Sequence, residues 1–128
     1  MNRVYVVVRS DLDPGAQLAQ SCHALSVFAH AYRAQHDAWQ AGEQNLVVLA
    51  VPSENALGEL VRRAMGQGVL CAAFHEPDFG NQLTACAFSG DVAKLVSSLP
   101  LALKGARCPT CKESPLVPIC ARCAACAA

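Results

Sequence analysis

Three groups of residues have the types and spacing to do chemistry. Arg9 and Asp11 follow a short valine-rich run, and Gln20 and His23 lie where the chain turns helical. Gln20 and His23 are three positions apart and share a helix face. A guanidinium, a carboxylate, an amide and an imidazole therefore gather beyond the end of a strand, where they can activate water and hold an anion. A half-buried structural histidine explains His23 equally well. The second group is Glu76-Pro77-Asp78-Phe79-Gly80-Asn81-Gln82 with Thr84, which offers carboxylates, amides and a hydroxyl to a polar substrate. A solvated surface loop is the competing reading. The third group is Cys108-Pro109-Thr110-Cys111 and, eight residues on, Cys120-Ala121-Arg122-Cys123. Paired C-x-x-C knuckles of this kind place four thiolates around a tetrahedral zinc. Cys126 repeats the spacing and either competes for a ligand position or stays free. A cysteine-rich end without metal is the alternative, since this tail has no aromatic residue to build a miniature core. Cys22 beside His23 suggests a thiol nucleophile, but adjacent helix residues point about 100° apart, so Cys22 is expected to face the core.

Alternating strand and helix signals must position these groups. Val4 to Val8 is a β-branched run without alternation, the pattern of a strand covered on both faces. Asp13-Pro14-Gly15 ends it. Leu18, Cys22, Leu25, Phe28 and Ala29 then recur at helical spacing and predict one amphipathic helix to about Ala38. Gln44 to Val51 reads as a second strand, and Ser53 as the cap of a helix carrying Leu57, Leu60, Val61, Ala64 and Met65 up to Gly66 and Gly68. Val69 to Phe74 and Leu83 to Phe88 are the third and fourth strands, close enough to pair as a hairpin. A short helix is expected over Asp91 to Ser97. The order implies a three-layer α/β/α domain on a four-stranded mixed sheet, spanning residues 1–103, with a short cysteine-rich C-terminal tail over 104–128.

Composition narrows the classes. At 128 residues and 53% hydrophobic, the chain can bury one core. Ten basic and ten acidic residues cancel, so bulk charge announces neither nucleic acid nor membrane. No window approaches the roughly 18 apolar residues of a membrane span, and no signal-peptide pattern opens the chain. A cytoplasmic protein with no membrane partner is the expectation, with its cysteines as thiols or metal ligands.

Two stretches carry a family resemblance. RSDLDPGAQLAQSCHA resembles the first strand, turn and helix of the archaeal and eukaryotic, second type of peptidyl-tRNA hydrolase, with its Arg-Ser/Thr-Asp and Ala-Gln-x-x-His-Ala. HEPDFGNQLTACAF is similar to the acidic loop and late strand of bacterial and phage relatives. The resemblance covers residues 3 to 103. It implies an α/β/α fold, hydrolysis of the ester in peptidyl-tRNA, tRNA as partner and no cofactor for the chemistry, and it is compatible with a homodimer. Carried over by position, it implies Gln20, His23, Asp78 and Thr84 as catalytic and Arg9, Asp11, Glu76 and Asn81 as substrate-binding, with Glu76 and Asp78 both candidates for the acidic residue. A non-catalytic RNA- or protein-binding module on the same fold is the alternative. One position departs from the pattern: well-characterised members place a lysine after the glycine that opens the helix, and here Ala16 follows Gly15. A divergent subgroup with Gly-Ala at this place keeps the fold.

Overall fold

The computed structural model describes residues 3–104. Four strands form one mixed sheet in the order β2-β1-β4-β3: β1 Arg3–Arg9, β2 Asn45–Val51, β3 Cys71–Glu76 and β4 Gln82–Ser89. β1 runs parallel to β2 and antiparallel to β4, and β3 and β4 form the expected hairpin. The helices are α1 Pro14–Ala31, α2 Arg33–Ala41 and α3 Glu54–Gly66.

The valine run explains the layering. Successive side chains of a strand point to opposite faces, so Val4, Val6 and Val8 join Ala24 and Phe28 of α1 on one face. Tyr5 and Val7 join Leu57, Leu60 and Ala64 of α3 on the other. Because both faces are covered, β1 carries no polar alternation, and the α/β/α expectation holds.

Four local expectations are corrected. The single helix to Ala38 breaks at Tyr32 (φ −126°, ψ 59°); there the Tyr32 hydroxyl donates to the Cys71 carbonyl at 2.9 Å, and α2 turns to bury Trp39. The buried face of α1 is Gln17, Gln20, Ser21, Ala24 and Phe28, so the expected phase was wrong. Leu18 is 59% exposed, and Cys22 is exposed rather than in the core. β3 begins at Cys71, not Val69, because the Val69 N–H donates to Ala64 O at 3.1 Å and closes the end of α3 after Gly68 (φ +77°). Finally, Asp91 to Ser97 forms only a 3-10 turn over Gly90–Val92 followed by further turns. Val92 and Val96 are buried at helical spacing, but one turn gains too few hydrogen bonds to nucleate an α-helix.

The Ser53 cap is as expected, its hydroxyl accepting from Ala56 N at 3.2 Å. The free edge of β2 is partly covered: Ala50 N–H donates to Pro100 O and Ala102 N–H to Val48 O. No helix among the described residues is long and apolar enough to cross a membrane.

Candidate active site

The polar face of α1 sits over the end of the β3–β4 hairpin. Gln20 is in the second turn of the helix, and its side chain is buried between Glu76, the last residue of β3, and Thr84 on β4. Thr84 Oγ1 donates to Gln20 Oε1 at 2.6 Å, and Gln20 Nε2 donates to Glu76 Oε2 at 3.1 Å. A carboxylate only accepts, so Glu76 fixes which end of the amide faces it. One N–H of Gln20 remains beyond that bond. Thr84, Gln20 and Glu76 are 0%, 5% and 8% exposed, so this three-member chain is a built feature rather than a solvated one. The reading of the whole acidic segment as a solvated surface loop is corrected at Glu76, which is buried and ends a strand.

The Glu76 carboxylate also shapes the loop. Its Oε1 accepts the Asp78 N–H at 3.3 Å as β3 passes into the 3-10 turn Pro77–Phe79, and its carbonyl accepts the Asn81 N–H at 2.9 Å. Gly80 and Asn81 both take positive φ, 65° and 60°, which glycine and asparagine tolerate best. The Asp78 and Asn81 side chains are left exposed at the rim. His23, one turn along α1, is also exposed and stacks on Phe74 of β3, with ring centroids 4.5 Å apart and planes 11° from parallel.

Arg9 and Asp11 form an adjacent cluster at the end of β1. Arg9 Nε and Nη2 grip both oxygens of Asp11 at 2.9 and 2.8 Å, while Nη1 donates to Gln82 Oε1 at 2.9 Å and to Leu83 O at 3.2 Å. The hydrogen bonds from Arg9 hold the Asp11 carboxyl below its ordinary range. The same bonds raise the guanidinium. Four of the five N–H bonds of Arg9 are thus committed. The two clusters meet through Gln82, which pairs with Glu76 across the hairpin.

Sequence reasoning named these eight residues, and Gln82 as part of the acidic segment, but missed two that support them, Gln17 and Glu54. Gln17 is buried, and its Nε2 pins the turn by donating to Leu12 O at 2.7 Å and Ser10 O at 3.3 Å. Its place one turn before Gln20 was the available signal. Gln82 receives Arg9. Glu54 accepts the Leu83 N–H at 2.7 Å, a contact between distant segments that no spacing announces. The zinc expectation for Cys108, Cys111, Cys120 and Cys123 lies outside the described residues. Among the described residues no group of three or more His, Cys, Asp or Glu side chains is placed to hold a metal ion.

Comparison with known proteins bears on the whole domain. The family described as Peptidyl-tRNA hydrolase PTH2 matches residues 2–100. No curated protein matches at a significant level. Among solved structures, a protein of unknown function from Agrobacterium tumefaciens strain C58 is similar at TM-score 0.60 and 17% identity, over 77% of this chain and 96% of that one. That likeness concerns the fold, which it supports independently of the sequence motifs. With the family match running from the first strand to the turns after the last, the chain belongs to the PTH2 peptidyl-tRNA hydrolase family.

Proposed function

We propose that this chain hydrolyses the ester joining a peptide to the terminal ribose of tRNA. The observation that carries the reading is the buried Thr84–Gln20–Glu76 chain, whose Glu76 carboxylate also accepts the N–H of the exposed Asp78. Ester hydrolysis needs a base for water and a donor for the developing oxyanion. Both Glu76 oxygens are engaged, by Gln20 and by the Asp78 N–H. Glu76 is also buried, whereas Asp78 is exposed at the rim; Asp78 is the base in this reading, with His23, exposed on Phe74, helping to orient water. The remaining Gln20 N–H meets the oxyanion. Thr84 spends its proton on Gln20 and holds the amide in orientation, a brace more than a second donor. Arg9 and Asp11, with Asn81 at the rim, bound the approach of the RNA end.

No cofactor enters this chemistry. Ala16 offers no ammonium to a phosphate, so phosphate contacts fall to other cations, with Arg107, Lys112 and Arg122 of the tail as candidates. The protein would work in the cytoplasm, where tail cysteines at zinc spacing stay reduced.

Turnover of an N-blocked aminoacyl-tRNA tests the reading. Wild-type protein should release tRNA, and folded Gln20→Ala and Asp78→Asn variants should lose about 100-fold or more in kcat, the cost of removing an oxyanion donor or a positioned base. Full activity in both variants would take these residues out of the mechanism. A folded wild-type protein without turnover would instead favour the non-catalytic RNA- or protein-binding module, the reading that Ala16 supports.

A further inference from the structure

Among the described residues, no strand pairs with the start of β4, which carries Thr84, on its β1 side. The β1–β4 register ends at Val8 and Ala85. Two pairs further along, Ser10 would face Leu83, but the chain has already turned, and the Ser10 N–H donates to Val51 O of β2 at 2.8 Å. Both backbone groups of Leu83 are satisfied by side chains instead. Glu54 Oε2 accepts its N–H at 2.7 Å, and Arg9 Nη1 donates to its carbonyl at 3.2 Å. Two side chains thus occupy the ladder position that a strand would fill.

Glu54 is suited to this by its place. It is the first residue of α3, where Ser53 already caps the helix by accepting from Ala56. The carboxylate is therefore not needed for capping and reaches across to the strand. Leu83 immediately precedes Thr84, whose Oγ1 lies 2.6 Å from Gln20 Oε1 in the bond that holds the amide. On the other side, the β3–β4 register is broken between Phe74 and His75. The hairpin alone therefore fixes this stretch weakly.

We propose that Glu54 is a positioning residue for hydrolysis: with Arg9 it replaces the missing strand, holds β4 at Leu83, and so sets Thr84 against Gln20. This rests on the hydrolase reading above. The carboxylate touches no reacting atom, and its effect passes through one backbone N–H.

The test uses the full chain with Glu54→Ala and Glu54→Gln, the second of which keeps an oxygen to accept the Leu83 N–H. Amide exchange of Leu83 and Thr84 by NMR reports the contact, and kcat and KM on N-blocked aminoacyl-tRNA, per folded molecule, report its use. Glu54→Ala should speed Leu83 exchange about tenfold or more, the loss of one protecting bond. It should also lower kcat about 10- to 100-fold with KM within about twofold, as expected when a group is displaced by up to about 1 Å. Glu54→Gln should recover most of both. Unchanged Leu83 exchange in Glu54→Ala overturns the contact, and faster exchange with unaltered kcat overturns the positioning role. A kcat loss that glutamine does not rescue also overturns it, because the negative charge and not the acceptor would then matter. If the wild type itself has no turnover the hydrolase reading fails, and the catalytic role with it, whereas the exchange data still decide whether Glu54 holds β4.

Discussion

Gln20 is the residue on which the buried polar chain depends, because it alone touches both Glu76 and Thr84. Replacing it with leucine strands a Glu76 carboxylate oxygen in the interior and leaves the Thr84 hydroxyl only its long bond to Phe74 O at 3.4 Å. Leaving a buried polar group unpaired costs about 1–3 kcal/mol, more for a charge, so Gln20→Leu should destabilise the fold by about 3–5 kcal/mol. Thr84→Val removes one hydroxyl at nearly constant shape and should cost about 1–3 kcal/mol on the same basis. Urea unfolding of both variants checks the order; a Gln20→Leu protein as stable as wild type would mean that the chain is not formed. Asp11 gives a pH prediction. Its carboxyl is held low mainly by the hydrogen bonds from Arg9, so its contribution is present above the ordinary carboxylate range and is lost as pH falls through the lowered value. The Arg9 grip on Gln82 and Leu83 should therefore loosen only in acid, below about pH 4. The effect on stability will be small because Asp11 is exposed. A titration of the Asp11 carboxyl by NMR at or above its ordinary value would contradict the ion pair. The cysteines separate by environment as well: burial pushes the Cys86 thiol up, whereas Cys22 is exposed. Of these two, Cys22 should alkylate in the native protein and Cys86 only on unfolding, as peptide mass spectrometry would show.

At the scale of the elements, what could be read in advance follows from which forces are local. The β1 valines, the Ser53 cap and the β3–β4 hairpin were legible because each depends on neighbours in sequence. The phase of α1 was not. Apolar residues normally mark the buried stripe, but here Gln17, Gln20 and Ser21 occupy its first turns and Leu18 faces water. The site displaced the hydrophobic pattern: the residues that made the family resemblance visible were also those that misled the helix assignment. The same tension hid Glu76, whose burial depends on Gln20, 56 positions away. The break at Tyr32 had no glycine or proline to announce it. Instead a hydroxyl finds the Cys71 carbonyl on β3, and Trp39 Nε1 finds Asn45 O at 2.9 Å. Tyr32→Phe should cost about 1 kcal/mol, the net worth of one such bond, and should raise amide exchange in α2 more than in α3. Equal exchange in both helices would show that Tyr32 does not set the angle between α1 and α2.

The whole domain is a single sheet with a separate apolar cluster on each face, one under α1 and α2 and the other under α3. β1 is shared, since its alternate residues supply both clusters. If the sheet couples the two layers, damage to one face must be felt on the other. Leu57 of α3 is fully buried on one face, and Trp39 of α2 reports from the opposite face as the single tryptophan of the chain. Leu57→Ala should cost about 2–5 kcal/mol through lost burial and the cavity left behind. At about 4–8 °C per kcal/mol for a domain of this size, its melting temperature should fall by roughly 10 °C or more. The loss of Trp39 fluorescence and of far-ultraviolet helical signal should shift together. The partner experiment, Phe28→Ala on the α1 face, should move the same two signals by a comparable amount. Coincident transitions in both variants mean that α1, which carries the candidate site, draws its stability from the entire sandwich, so that Gln20 is held as firmly as the core beneath α3. A Trp39 transition that stays at the wild-type temperature in Leu57→Ala would instead divide the molecule into two independently melting layers. In that case the position of the site would depend on the α1 face alone.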